Sequence, residues 1–411
     1  MATIPDLPQL PVVPRVIVQK YGGSSVADVA KIQLVAKRIA ETHRSGSQVV
    51  AVVSAMGKTT DQLLQLAHEV TDEPDRRELD MLLSAGERIS MALVAMAVRG
   101  HGLKATSLTG SQCGILTTDN AGNARIVEVR PFRVQDALDQ GEVVIVAGFQ
   151  GTSWRREITT LGRGGSDTTA VALAAALGAD CEIYSDIDGI YSADPRQVPN
   201  ATRLDSVTHD ETLAMARAGA KVLAADAVAL ARMHGIALYA RKTGQGSGET
   251  VVRLDTPRDR PWIVGVASRP HAVALQYTAQ AALDQQLGSL WTAANLTEVA
   301  SMQAQTRLVV LARDVADAVD PAFDRAIAQA VQLLGHAELT VLRGTLVSIV
   351  GPAVGREPGL LGQFVALVSE ATEAAPMAVV AHGLTLSALV APEHTGRVLA
   401  ALHRRFVEVT P

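Results

Sequence analysis

Aromatic residues are scarce: the 411-residue chain holds five Phe, three Trp and five Tyr. Stacking platforms for single-stranded nucleic acid need more than that in one place, which argues against such a partner. Cysteine is rarer still. Cys113 and Cys181 make no disulfide framework and stand in no C-x-x-C spacing, so both read as ordinary buried thiols. Neither sign of charge dominates, with 37 basic against 42 acidic residues and a net charge of −5. No basic stripe therefore points to nucleic acid or to a lipid surface. The first residues lack a basic n-region and are broken by Pro5, Pro8, Pro11 and Pro14. They read as an extended leader, residues 1–14, and neither as a signal peptide nor as a membrane span. The expectation from these absences is a cytoplasmic protein that handles small molecules.

Ala, Val and Leu are plentiful, and 48% of the residues are hydrophobic. That is enough for sizeable cores in two or three domains. The stretch Leu161 to Gly178, LGRGGSDTTAVALAAALG, joins a polar glycine-rich turn to an apolar helix. Gly162, Gly164 and Gly165 admit a close backbone approach, and Ser166 is placed to cap the helix and turn its first N–H groups toward an anion. Arg163 and Asp167 add a cation and an anion at the same mouth. The spacing is neither the Rossmann nor the P-loop fingerprint, so a plain tight turn with a capped helix is the alternative at this point.

Other polar clusters follow buried strands in the same way. Val16–Gln19 runs into Lys20-Tyr21-Gly22-Gly23-Ser24-Ser25 and a helix from about Ala27 to His43. Val49–Val53 ends in Ser54-Ala55-Met56-Gly57-Lys58-Thr59-Thr60, and Val143–Ala147 in Gly148-Phe149-Gln150-Gly151. Cys181–Tyr184 leads to Ser185-Asp186-Ile187-Asp188 and on through Tyr191 to Arg196. Strands alternating with helices predict a wound, mainly parallel α/β sheet with helices on both faces, whose ligand edge collects these four strand ends. Lys20 at that edge suits a phosphate, or is simply solvated. Glu87, early in the apolar helix Leu79–Ala97, needs Arg88, a distant lysine or a ligand ammonium as partner. Asp186 and Asp188 suit a ribose, a magnesium ion or an Asp/Gly turn. The loop is not an EF-hand, and no residue set has metal-ligand spacing.

From about Ile263 strand-end polar clusters thin out. Two weak β-α-β patterns predict a separate α+β region, with the boundary near Arg253–Trp262, where Pro257 and Pro261 stand.

Six motifs in one order resemble aspartate kinases of the amino-acid kinase superfamily, the actinobacterial type above all. They are KYGGSSV (Lys20–Val26), VVSAMGKTTDQLL (Val52–Leu64), LLSAGERIS (Leu82–Ser90), TLGRGGSDTTAVALAAALGA (Thr160–Ala179), EIYSDIDGIYSADPR (Glu182–Arg196) and GAKVL (Gly219–Leu223). The resemblance implies an amino-acid kinase domain over residues 15–256 and a tandem ACT-like region over 263–411. It implies transfer of the γ-phosphoryl group of ATP, with Mg2+, to the side-chain carboxylate of L-aspartate. Lys20 and Asp167 would be catalytic. Thr60, Glu87, Arg163 and Ser166 would hold the amino acid. Gly22, Gly23, Ser24, Ser54, Ser185, Asp186, Asp188, Tyr191, Arg196 and Lys221 would hold ATP.

The resemblance weakens after Arg241. An R-S-S-type sequence is replaced by Arg241-Lys242-Thr243, and the D-K-P-G-type effector turn by Thr278-Ala279-Gln280-Ala281. The second ACT-like module has Ala375-Pro376-Met377 where a polar strand start is usual, but keeps Val347–Gly351 and Glu357-Pro358-Gly359. The expectation is an assembly module, a homo-oligomer through the ACT-like region, and lost or altered inhibition by lysine and threonine. The rival readings are a same-fold kinase for another acidic amino acid or an aspartate analogue, and a non-catalytic regulatory subunit.

Overall fold

The computed structural model describes residues 15–162, 164–220, 223–244, 248–255, 262–278, 280–293, 297–303, 306–312, 321–335 and 339–408. In chain order the first elements are β1 (Val16–Tyr21), α1 (Val29–Arg44), β2 (Gln48–Val53), α2 (Thr59–Val70) and α3 (Arg76–Gly100). Then come β3 (Ala105–Leu108), β4 (Ile115–Thr117), β5 (Ile126–Val129), α4 (Phe132–Asp139), β6 (Val143–Ala147), β7 (Gln150–Ser153) and β8 (Ile158–Thr160). They are followed by α5 (Gly165–Leu177), β9 (Asp180–Ser185), β10 (Ser206–Thr208), α6 (His209–Arg217), α7 (Ala225–His234), β11 (Leu238–Lys242) and β12 (Glu249–Arg253). The C-terminal elements are β13 (Gly265–Thr278), α8 (Ala281–Ala293), β14 (Thr297–Gln303), β15 (Thr306–Ala312), α9 (Pro321–Leu334), β16 (Thr340–Val350), α10 (Leu360–Thr372), β17 (Ala378–His382), β18 (Thr385–Val390) and α11 (Thr395–His403).

The described residues up to Asp188 and within Met233–Gly248 make one compact unit, and those of Gly189–Arg232 and from Glu249 onward a second. In the first unit β11, β9, β1, β2, β6 and β3 pair in that order, every pair parallel. Near-continuous Val and Ala runs such as Val49–Val53 are fully buried, as expected of strands covered on both faces. Tyr21, Val49, Ala51, Val53, Val143 and Ile145 meet α1 and α3 in one core cluster. The alternate residues of these strands point the other way, and α5 packs on β1, β2 and β9. That helix has apolar residues all round and only a slight polar stripe, which fits its burial. A small sheet, β5-β4-β7-β8, stands beside the main one.

α3 is long and apolar enough, by length and composition, to cross a membrane, yet half of its most apolar window is buried inside the unit. Leu83, Val94, Ala97 and Val98 are in that buried face. Both cysteines are buried and free, and burial pushes both thiols up, consistent with inert packing groups.

In the second unit β10 pairs parallel with β12, and a six-stranded sheet runs β14-β15-β13-β16-β18-β17. Two modules share it. β13 with α8, β14, β15, α9 and β16 traces one β-α-β-β-α-β path, and the halves of β13 and β16 beyond the register shift at Arg269/Ala272 serve the other. Val273, Leu275 and Tyr277 pack with Phe323 and Ile327 of α9, whereas Val266, Val347 and Ile349 pack with Phe364 and Leu399. Packing also draws the segment after Asp188 toward this sheet. Val266 donates its N–H to Ser192 O at 2.8 Å, the Ser192 hydroxyl meets Nε2 of buried His403 at 2.8 Å, and Arg269 donates to Ala216 O at 3.1 Å. The chain thus passes from the first unit to the second at Gly189, returns for Met233–Gly248 and leaves again at Glu249.

Candidate active site

The parallel registers line up four strand ends. Tyr21 stands beside Val53 and Tyr184, and Val53 beside Ala147. Polar segments therefore gather at the carboxyl edge of the sheet, where such sheets bind ligands. Lys20, inside β1, reaches across to Asp167 in the first turn of α5, with Nζ 2.7 Å from the carboxylate. Gly22 lies beside that ammonium: a Cβ there would stand 3.4 Å from Lys20 Nζ. At Gly23 a Cβ would come within 2.8 Å of Ala55 O, so only glycine lets the turns after β1 and β2 close together. Gly57 donates its N–H to Gly23 O at 3.0 Å and completes that contact.

Ala55 leads on to Glu87. One carboxylate oxygen of Glu87 accepts the Ala55 N–H at 2.9 Å, while the other is buried with no hydrogen-bond partner. Burial raises the acid from 4.5 to about 7, against the opposing effect of its backbone hydrogen bonds. Arg88 is no partner for it, since Arg88 Nε is itself buried and unbonded. A buried carboxylate with one open oxygen suits a cationic ligand group. Ser54 donates its N–H to Tyr21 O and accepts the Ser90 hydroxyl at its carbonyl at 2.7 Å, and Thr60 is the second residue of α2. Ser24 is exposed on the short turn Gly23–Val26.

The glycine turn differs from the sequence expectation in one respect. Gly164, with φ +72°, is the residue that starts α5, and no side chain caps it; Ser166 lies inside the first turn. Gly165 N–H donates to Gly162 O, and the N–H groups of Asp167 and Thr168 donate to Gly164 O. Most of the helix's first donors are therefore used by the turn itself, and the left-handed Gly164 is what makes that possible. Ser166 is buried against Gly148, whose Cβ would stand 2.8 Å from the Ser166 hydroxyl. Phe149 holds a strained φ of +67°, accepts the Leu161 N–H and donates to the Thr169 hydroxyl. Arg163 and Lys221 lie outside the described residues.

At the end of β9 the Ser185 hydroxyl is turned into its own loop, donating to Ile187 O and accepting the Ile187 N–H; Asp186 is exposed and Asp188 half-buried. Behind this edge Glu182 accepts hydrogen bonds from Gln19 at 2.8 Å and Tyr184 at 2.9 Å and pairs with Arg241. Tyr21 and Tyr184 stack at 4.9 Å, and Arg38 covers the Tyr184 ring. Thr243 departs from the family pattern but takes a defined role, bonding Ser25 through its hydroxyl at 2.6 Å and Ser185 O through its N–H at 2.8 Å. Tyr191 and Arg196 belong to the second unit. Tyr191 bridges to Arg203, and Arg196 forks onto Asp194 at 2.9 and 2.6 Å.

Comparison with known proteins gives this edge a family. Residues 15–241 match the amino acid kinase family. The chain belongs to that family. An aspartokinase of Mycobacterium tuberculosis is 58% identical over 256 residues, which is 61% of this chain and 61% of the relative. The chain thus matches 61% of the length of such curated relatives. The crystal structure of aspartate kinase from Synechocystis is 34% identical, with a TM-score of 0.54, and covers 96% of this chain and 70% of that one. Aspartokinase III of E. coli, solved with aspartate and ADP, superposes with a TM-score of 0.79 over 95% of this chain and 99% of that one. At 24% identity that likeness is one of fold, and it takes in the C-terminal α+β region as well as the kinase sheet.

Asp80 stands outside the sequence motifs, and Gln150 was noted only as part of a polar cluster. Asp80 is fully buried, and Gln150 donates to Ser84 O at 3.0 Å. The signal for Asp80 lies in helical spacing: Asp80, Ser84, Glu87 and Ser90 share one stripe of α3. From that stripe α3 braces the turns after β2, β6 and β8.

Proposed function

We propose that this amino acid kinase transfers the γ-phosphoryl group of ATP to the side-chain carboxylate of L-aspartate. The observation that carries the reading is Glu87, a buried carboxylate with one unpartnered oxygen, joined through Ala55 and Gly23 to the Lys20–Asp167 pair. An ammonium group and a transferring phosphoryl group are thereby given adjoining places. Glu87 takes the aspartate ammonium, Arg163 its α-carboxylate, and Thr60 and Ser166 the remaining polar contacts. Gly22, Gly23, Ser24, Ser54, Ser185, Asp186, Asp188, Tyr191, Arg196 and Lys221 serve the nucleotide. High identity to named aspartokinases supports the assignment.

The chemistry asks little of the protein beyond placement. One oxygen of the substrate's β-carboxylate forms a bond to the γ-phosphorus as the bond to the β,γ-bridging oxygen breaks, giving 4-phospho-L-aspartate and ADP. The nucleophile is already ionised, so no general base is required. Lys20, held by Asp167, neutralises charge on the transferring group, and the strand-end turns fix the two anions in line. Magnesium supplies further charge neutralisation as the counter-ion of ATP. Asp186 or Asp188 would hold that cation beside the nucleotide phosphates.

Residues 15–256 act as the kinase domain and 263–411 as the tandem ACT-like region, which joins copies of the chain. With the effector turn replaced by Thr278–Ala281, lysine and threonine together leave the activity unchanged or altered in sensitivity; strong joint inhibition at low millimolar concentrations would refute this. The protein works in the cytoplasm. A panel of aspartate, glutamate and aspartate analogues with MgATP, trapped as hydroxamates, tests the substrate: aspartate gives the highest kcat/KM, and a preference for glutamate or an analogue would move the assignment to that acid.

A further inference from the structure

The amino-acid side of the site hangs on a carboxylate to which nothing above assigns a role. Asp80 is fully buried in the first turns of α3, with no cation beside it among the described residues. Its charge is met by hydrogen bonds alone. Both oxygens accept the Gly122 N–H at 3.0 Å, Oδ2 accepts the Thr160 N–H at 3.1 Å, and Oδ1 accepts the Thr160 hydroxyl at 2.6 Å. The third polar group of Thr160, its carbonyl, accepts the Ala124 N–H at 2.9 Å. Every polar atom of Thr160 is thus fixed.

Thr160 is the last residue before the glycine turn. Leu161 donates to the strained Phe149, Gly162 and Gly164 bend the chain through positive φ, and Asp167 closes onto Gly164 O. The described residues between Thr160 and Asp167 are tied by backbone hydrogen bonds, Leu161 to Phe149, Gly165 to Gly162 and Asp167 to Gly164. A shift at Thr160 is therefore passed to Ser166 and to Asp167, the partner of Lys20. Such shifts are costly, because about 1 Å of misplacement is enough for losses on the order of a hundredfold.

We propose that Asp80 is a positioning residue for phosphoryl transfer, locking Thr160 so that the first turn of α5 holds Ser166 for the amino acid and Asp167 against Lys20. A carboxylate suits this place because the Gly122 N–H reaches both oxygens and the Thr160 N–H one of them, and an N–H can only donate. An amide of the same shape would turn an NH2 group against N–H donors.

The proposal rests on the aspartate-kinase reading for its kinetic arm, and hydrogen exchange gives a second arm that needs no substrate. In Asp80→Asn, kcat/KM for aspartate falls about tenfold to a hundredfold while KM for ATP stays within about twofold. Amide exchange in the peptide 160–168 speeds up by about tenfold or more, with α1 and β1 unchanged. Thr160→Val, which removes the hydroxyl alone, moves both readouts the same way by a smaller amount, and Thr160→Ser restores them. A general loss of structure would lower the melting point and the active fraction without separating the two KM values. Unchanged exchange at 160–168 in Asp80→Asn, or equal changes in KM for aspartate and ATP, would overturn the proposal. If the wild-type protein phosphorylates no aspartate, the substrate reading fails, while the exchange comparison still decides the clamp.

Discussion

Lys20 Nζ and the Asp167 carboxylate stand 2.7 Å apart, in side chains only 12% and 14% exposed. One is fixed by a central parallel strand and the other by the first turn of the helix that covers it. The pair thus joins a central strand to the helix packed on it, and a cation so held is preorganised for developing phosphate charge.

Glu87 makes a prediction about pH. Its folded-state value, about 7, lies above the ordinary 4.5 because burial disfavours the charge. The folded protein therefore keeps a proton that the unfolded chain has released between those values. Its contribution to stability is complete below about pH 4.5 and is lost as pH rises through 7. Denaturant unfolding of the ligand-free protein should show the wild type losing stability relative to Glu87→Gln as pH rises over that window, by an amount on the order of a few kcal/mol. An ammonium ligand favours the ionised form, so KM for aspartate should fall as pH rises toward 7 in the wild type and stay level in the variant. A pH-independent difference in both would contradict the assignment.

Gly22 and Gly23 should fail differently when changed to alanine. Gly22 has φ −69°, open to any L-residue, and the nearest atom to a new Cβ is the flexible Lys20 Nζ at 3.4 Å. Gly22→Ala should keep its melting point and lose activity. Gly23→Ala drives a Cβ to 2.8 Å from Ala55 O, so it should lose about 1–3 kcal/mol of stability as well. Thermal melts beside kcat measurements check the contrast, and equal stability of the two variants would argue against it.

The Arg241–Glu182 pair predicts coupling. Glu182 is buried, and removing Arg241 leaves it with the neutral donors Gln19 and Tyr184. Arg241→Met should cost about 1–3 kcal/mol, since the arginine is itself partly exposed. Adding Glu182→Gln should recover most of that loss. A double-mutant cycle that sums without coupling would contradict the pairing.

Much of this edge was legible in the sequence. Buried runs such as Val49–Val53 and Val143–Ala147 end in polar turns, and a parallel sheet places such ends together, whereas the meeting of Lys20 with Asp167 was implied only by the resemblance to aspartate kinases. Helix periodicity placed Glu87 on a buried face, but only the three-dimensional contacts show Ala55 on one oxygen and nothing on the other. Ser166 was misplaced as a cap because cap preference is a statement about side chains, whereas Gly164 starts the helix by backbone conformation alone. The division at Gly189 was hidden for another reason. The bonds that tie Ser192 to Val266 and His403 join residues far apart in sequence and leave no local pattern. The interleaving of the two C-terminal modules escaped in the same way, because one long strand with a register shift reads as two short ones.

The most direct test is formation of an acyl phosphate. Purified protein with MgATP and L-aspartate, quenched in hydroxylamine, should yield β-aspartyl hydroxamate in step with ADP, and Asp167→Ala should lower the rate by about a hundredfold or more. No hydroxamate from the wild type, or an undiminished rate in Asp167→Ala, would contradict the account.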